Sequence, residues 1–252
     1  MSNPPLTVVT VTWNCVDVLP VTIASLQKQT RRDFEWLVID GGSNDGTLEL
    51  LEQHRELVDV LVCEPDRGIY DAMNKGIALA KGRYINFMNA GDAFFEATTL
   101  EKVIPQFSGQ DILFGDVELV YEHKQIIRRY PKRLSATFFT LNTLCHQVLF
   151  YRKQWFDVTG DYVLTEPIFA DYKHLLQSYF HPTFVAAHLG TIVASYDMQG
   201  VSAGVPLSYL RRSEWYFRFG GLRQWLRLTW WWGVMRYPVR LLQKFFPGWT
   251  FR

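Results

Sequence analysis

The stretch EPDRGIYDAMNKGIALAKGRYINFMNAGD, Glu64 to Asp92, decides the fold. It reads as a polar turn with a glycine, a helix of small residues, a short strand, and an acidic turn where that strand ends. Ala72, Gly76 and Ala80 fall four apart over Tyr70 to Ala80, so one helix face is small enough to lie close against a sheet. Gly68 lets the preceding turn approach a ligand backbone-first, and the helix N-terminus offers free N–H groups and a partial positive charge to a diphosphate. Tyr84 to Met88 reads as a buried strand leading into Asn89-Ala90-Gly91-Asp92. A carboxylate there, together with phosphate oxygens, is a hard donor set suited to Mg2+ or Mn2+.

Upstream, the apolar run Phe34 to Ile39 ends in Asp40-Gly41-Gly42-Ser43-Asn44-Asp45-Gly46-Thr47, a strand followed by a tight turn and a helix start. The first strand ends in Thr12-Trp13-Asn14, and the glycine turn follows the second strand. That spacing excludes a dinucleotide-binding fingerprint. No Gly-x-x-x-x-Gly-Lys-Ser/Thr occurs, which excludes a P-loop.

These two ordered motifs resemble those of the family 2 inverting glycosyltransferases with the GT-A fold. The resemblance is strongest to the bacterial exopolysaccharide branch, including the colanic-acid-type transferases, in which EPD-x-GIYDAMNKGIA recurs. It implies an α/β domain over residues 1–204, with a mixed, mainly parallel sheet flanked by helices; beyond it, residues 205–252 read as a helical C-terminal tail. Residues 1–95 would bind the donor nucleotide and 96–204 would supply the acceptor and catalytic half. Carried over by position, it implies donor contacts at Val11, Thr12, Trp13, Asp40, Asp66, Arg67, Gly68, Asp71, Asn74, Lys75, Asn89, Ala90 and Gly91, with Asp92 on a Mg2+ or Mn2+ ion. The chain departs from the pattern at three points. Gly41 replaces the second acid of the Asp-Asp-Gly-Ser turn, Met73 stands where many relatives have Arg, and only Asp92 remains of the Asp-x-Asp-Asp turn. Arg67 and Lys75 are the nearest cations to neutralise phosphate.

Inverting transfer needs a base for the acceptor hydroxyl while its oxygen attacks the anomeric carbon opposite the leaving diphosphate. The resemblance places that base at a helix start, at Asp171 in Ala170-Asp171-Tyr172-Lys173-His174, with Glu166 in reserve. His146 and Gln147 are candidate contacts to acceptor or diphosphate. Asp111 to Gly115 reads as a strand, with Val117 to Tyr121 and Gln125 to Tyr130 as a hairpin over the site. Asp116 and Glu118 read as its solvated edge, with contact to acceptor hydroxyls as the alternative. His174, His181 and His188 repeat every seven residues, but Pro182 prevents one helix through them.

Composition fits a globular catalytic domain with an addition: 48% hydrophobic and 20% charged over 252 residues. No basic region precedes the first strand, so no secretory leader is expected. Cys15, Cys63 and Cys145 lack metal-ligand spacing and suit a reducing compartment as buried small residues. Net charge is asymmetric. Residues 1–204 hold 17 Lys and Arg against 24 Asp and Glu, whereas 205–252 hold 9 against 1 and six of the nine tryptophans. Arg211, Arg212, Arg218, Arg223 and Arg227 share a broad helical face beside Trp215, Trp225, Trp230, Trp231 and Trp232. The apolar run is too short to span a bilayer, so an interfacial segment on an anionic membrane is expected. The competing reading has these aromatics closing the chain's own core or a homo-oligomer interface. With no nucleic-acid module in an acidic domain, nucleic acid is excluded as a partner.

The expected activity is transfer of a sugar from a nucleoside-diphosphate sugar, UDP favoured, to a polyprenyl-diphosphate-linked saccharide. The setting would be peripheral, on the cytoplasmic face of the plasma membrane. The alternative is a non-catalytic nucleotide-sugar-binding scaffold subunit, suggested by the thinned acidic turn.

Overall fold

The computed structural model describes residues 3–198, together with 214, 215, 217–223 and 226, which are helical. Strand β1 (Leu6–Thr12, LTVVTVT) is buried along its whole length, as a central strand covered on both faces must be. Then follow helix α1 (Leu19–Gln27), β2 (Phe34–Asp40), α2 (Thr47–Gln53), β3 (Val60–Cys63), α3 (Ile69–Leu79) and β4 (Tyr84–Phe87). Strands β3, β2, β1 and β4 lie side by side and parallel, with Thr12 opposite Asp40 and Asp40 opposite Cys63. The ends of β1, β2 and β3 therefore open on one edge of the sheet, with the turn after β4 beside them, where ligands bind in open α/β sheets.

The small face of α3 is used as its sequence suggests. A Cβ on Gly76 would lie 2.5 Å from Val9 Cγ1 in β1, so the helix backbone sits where no larger residue fits. Gly68, at φ +109°, closes the turn that starts α3 in a conformation other residues rarely adopt.

The second half holds β5 (Ala93–Phe94), α4 (Thr99–Val103), β6 (Ile112–Tyr121), β7 (Lys124–Arg128), α5 (Ala136–Leu141), β8 (Leu149–Arg152), α6 (Trp155–Thr159), α7 (Ala170–Phe180) and β9 (Ala186–Asp197). Among the described residues one mixed sheet runs β3-β2-β1-β4-β8-β6-β9-β5, with β7 on β6. Parallel pairing covers β3 to β4 and the β6–β9 pair. Strand β8 joins the halves antiparallel to both β4 and β6.

The expected break between Gly115 and Val117 is instead a bulge inside one ten-residue strand. A Cβ on Gly115 would meet Val193 Cγ2 at 2.5 Å and the Thr191 carbonyl at 2.6 Å, so β9 passes too close for any other residue. Aromatic side chains fill the space under the helices, including Trp36, Tyr84, Phe87, Tyr151, Trp155 and Tyr162.

Two expectations about single residues need correction. Asp116 is not solvated: it is buried and accepts from the Tyr130 N–H (2.8 Å) and His188 (3.0 Å). Cys63 is not buried but exposed at the end of β3. The three spaced histidines serve separate environments. His174 is buried among Tyr151, Phe156 and Tyr162, and desolvation pushes its pKa down to about 4, so it is neutral.

Candidate active site

At the ends of β1 to β3 a set of short hydrogen bonds shapes an open mouth. Asp40 is fully buried and accepts from Thr12 Oγ1 (2.8 Å), the N–H groups of Gly42 and Ser43 (2.9 and 2.8 Å) and Ser43 Oγ (2.6 Å). Its carboxylate thus organises the turn, and a ligand contact there would require one of these donors to move. Asn14, at φ +45°, donates its N–H to Ser43 Oγ, and its side-chain oxygen accepts from the Asn44 N–H. These ties leave Trp13 projecting, 68% exposed, beside Gly41. A Cβ on Gly41 would lie 2.5 Å from Asp66 Oδ2 and 3.4 Å from Trp13 Cδ1. The Asp66 carboxylate therefore occupies the space that a second acid at position 41 would need. Its other oxygen accepts from the Gly68 N–H at 2.8 Å and holds the turn before α3.

The acidic turn after β4 is brought to the middle of the molecule. Thr22 of α1 donates to the Asp92 carbonyl (2.7 Å) and accepts from the Gly91 N–H (3.0 Å), fixing a turn in which Gly91 has φ +93°. From β4, the Asn86 amide donates to the carbonyls of Gln147 and Leu149, both at 2.9 Å, and pins the His146-Gln147 segment against the turn. Gln147 Nε2 then donates to Asp92 Oδ2 (2.7 Å). The Asn89 amide nitrogen lies 2.9 Å from His146 Nε2, and His146 Nδ1 lies 3.4 Å from Asp171 Oδ2. An amide nitrogen only donates, so with Asn89 in this orientation the ring proton sits on Nδ1 and faces Asp171.

Asp171 occupies the first turn of α7, where the helix dipole favours negative charge. Its Oδ1 accepts from Tyr70 Oη (2.8 Å) and from the Tyr172 N–H (2.8 Å), while the long His146 contact is on Oδ2. Burial, with the Asp171 charge adding, lifts the Tyr70 phenol far above its ordinary pKa, so it remains a donor. Burial pushes the Asp92 carboxyl up to about 6. The Gln147 hydrogen bond and a hydrogen bond from the Asp197 backbone oppose that rise, and the Asp197 carboxylate at the end of β9 adds less to it.

Asn89, Asp92, His146, Gln147 and Asp171, named from sequence, thus form one connected cluster. Other expected contacts serve the frame. Both polar atoms of the Asn74 amide are spent on the Tyr162 backbone, at 2.8 and 2.9 Å, which clamps the loop leading to α7. Asp71 accepts from the Arg67 N–H (3.1 Å) and guanidinium (2.8 Å), which hold its carboxyl below the usual range. Val11 is core, and Thr12 is buried against Asp40. Lys75 is tied to the Pro65 carbonyl (3.0 Å) and Glu64 (2.9 Å), whereas the Arg67 side chain, paired with Asp71 through one nitrogen, is 76% exposed. Met73 is buried. Glu166 lies half-buried in the loop before α7.

In the tail, Arg211, Arg212, Trp225, Arg227, Trp230, Trp231 and Trp232 lie outside the described residues. Trp215 does not face a membrane. It is 2% exposed, with its ring 5.8 Å from Tyr172. Arg218 and Arg223 are exposed.

Sequence reasoning missed Tyr70, Thr22, Asn86 and Asp197. Thr22 was within reach, because Leu19, Thr22, Ile23 and Leu26 have the spacing of a buried helix face.

Asp92 is one hard oxygen donor, and Asn89 Oδ1, buried and without a hydrogen-bond partner, is a second. Among the described residues no three His, Cys, Asp or Glu gather as a metal cage. The turn fits a cation shared with a diphosphate, which brings its own oxygens, and does not fit one held by protein alone.

The glycosyl transferase family 2 model matches residues 7–160. The chain belongs to that family. This family 2 glycosyltransferase is 34% identical over 212 residues to the "PGL/p-HBAD biosynthesis glycosyltransferase" of Mycobacterium bovis, covering 79% of each chain. Its fold is that of S. aureus TarS 1-349 in complex with UDP-GlcNAc, with a TM-score of 0.66 at 17% identity over 87% of this chain and 65% of that one. It is also similar in fold to the mannosyltransferase PcManGT from Pyrobaculum calidifontis in complex with GDP-Man and Mn2+, with a TM-score of 0.56 at 18% identity over 87% and 62%. It is a glycosyltransferase with a GT-A-type fold.

Proposed function

We propose that this enzyme transfers one sugar with inversion from a nucleoside-diphosphate sugar, UDP by preference, to a lipid-linked saccharide. The setting is surface-polysaccharide assembly at the inner face of a bacterial plasma membrane. The observation that carries this reading is the Asn89–His146–Asp171 chain, which joins the turn suited to a diphosphate to a carboxylate at a helix start.

In this reading Trp13 stacks on the base, Asp66 borders it, and Arg67 and the N-terminus of α3 face the diphosphate. Asp171 Oδ1 is held by Tyr70 and Tyr172, so Oδ2 takes the proton from the acceptor hydroxyl. That oxygen attacks the anomeric carbon, and the nucleoside diphosphate leaves from the opposite face. A divalent cation on Asp92 and the Asn89 amide oxygen would offset the charge growing on the leaving diphosphate. His146, itself fixed by the Asn89 amide, orients Asp171 through its Nδ1–H.

UDP is favoured because the TarS complexes hold UDP and UDP-GlcNAc, and Mn2+ is admitted because PcManGT holds it. The exopolysaccharide setting rests on the Glu64 to Ala78 run. No described helix is long and apolar enough to cross a membrane. Membrane association would fall to the tail over 205–252, where Phe217, Leu222 and Leu226 are exposed near Arg218 and Arg223.

Calorimetry with UDP-, GDP- and dTDP-sugars, in Mn2+ or EDTA, on wild type and Asp92→Ala tests the donor side. The expected result is binding of one donor class that weakens in EDTA and in the variant. Binding of no donor by the folded enzyme overturns the reading.

A further inference from the structure

Away from the donor mouth, between the end of β7 and α5, the surface opens into a cleft of about 580 Å³. Arg128, Arg129, Tyr130, Ser135, Phe138 and Asn142 are among its lining residues, and among the described residues no carboxylate lines it. Arg128, Arg129, Lys132 and Arg133 put four cations into six residues of a domain in which acids outnumber bases 24 to 17. Such a concentration against the prevailing charge creates a local positive potential, and planar guanidinium forks suit phosphate oxygens.

The cations are held open. Arg128 lies 5.9 Å over the Tyr130 ring, and its Nη2 donates to Asn142 Oδ1 at 3.1 Å. Arg129 reaches Asp116 only at 3.5 Å and is 76% exposed. The hydroxyls of Ser135 and Thr137 and the Asn142 amide add neutral polar groups along the wall.

Two walls of the cleft are fastened to the catalytic pair. Tyr130 Oη accepts from the N–H of Cys145, the residue before His146. Tyr172, the residue after Asp171, donates its hydroxyl to the Phe139 carbonyl of α5 at 2.7 Å. Hydrogen bonds thus tie the cleft to the residues beside His146 and Asp171, so a ligand held in the cleft is positioned relative to the proposed base.

We propose that this cleft binds the phosphate or diphosphate group of the acceptor, setting the hydroxyl of its attached saccharide at Asp171. The inference rests on the transferase reading above and assigns its acceptor a binding site separate from the donor's. The phosphate chemistry has two sources, an acceptor's diphosphate or the donor's own, and the test separates them.

Calorimetry on the full chain would use farnesyl diphosphate, farnesol and UDP as probes, with wild type, Arg129→Gln, and Arg128→Gln combined with Arg129→Gln. The expected result is that farnesyl diphosphate binds in the presence of saturating UDP, and that each variant weakens it, the double one tenfold or more. UDP affinity should stay within about twofold, which also reports an intact fold. Equal affinity of wild type and variants, displacement of farnesyl diphosphate by UDP, or equal binding of farnesol would overturn the proposal. Donor binding without diphosphate binding would sink the cleft alone, whereas diphosphate binding without any donor would sink the transferase reading alone.

Discussion

Replacing Asp92 by asparagine should stabilise the free enzyme at neutral pH while impairing its donor chemistry. The Asp92 carboxyl is buried and its pKa stands at about 6, against 3.8 for the unperturbed group. Between those values the folded state keeps a proton that the unfolded chain has released. Stability is therefore highest below about pH 4, falls as pH rises through the window, and has lost its full increment above about pH 6. At about 1.4 kcal/mol per pH unit the loss comes to about 3 kcal/mol. Asparagine has nearly the same shape, keeps an oxygen for the 2.7 Å Gln147 bond, and carries no charge to desolvate. The assay is urea unfolding of wild type and Asp92→Asn in EDTA from pH 4 to 8, reading the difference between the two so that all other titrations cancel. The stability advantage of the variant should grow by up to about 3 kcal/mol from pH 4 to pH 8. A difference that stays flat, or shrinks as pH rises, would refute the view that this carboxylate is held at a cost in stability.

Three further outcomes follow from the packing. Gly76→Ala gains about 1 kcal/mol of helix propensity, but its Cβ would lie 2.5 Å from stiff, buried Val9. Overpacking of about 1–3 kcal/mol should win, so thermal unfolding should show a lowered Tm, and a raised Tm would contradict the packing of α3 on β1. Asn74→Leu strands the Tyr162 N–H and carbonyl and should lose about 1–3 kcal/mol, read by urea unfolding, with donor affinity little changed. His146→Ala should lower kcat by about tenfold to a hundredfold with little change in donor KM, and should alter the pH profile of kcat; an unchanged profile would make the residue merely structural.

What could be read from sequence was local. The Asp66 to Asp92 run announces its turn, helix, strand and acidic turn through near-neighbour chemistry, and the structure follows it within a residue or so at each boundary. What could not be read was pairing over distance. Asn74 belongs to a donor-like motif, yet its partner is Tyr162, 88 residues onward. Asp66 gains meaning only beside Gly41, and Trp215 only beside Tyr172. Strand β9 hides because Gly190 interrupts its pattern and its parallel partner β6 lies over 70 residues earlier.

The central claim is that Asp171 is the base of a sugar transfer. It is tested most directly by single-turnover transfer from the bound UDP-sugar to a lipid-linked saccharide, comparing wild type with Asp171→Asn at saturating donor. The account predicts unchanged donor affinity and a transfer rate lower by about 10²–10⁴, with the wild-type product inverted at the anomeric carbon. A variant that transfers at close to the wild-type rate, or a wild-type product that retains the donor's configuration, would contradict it.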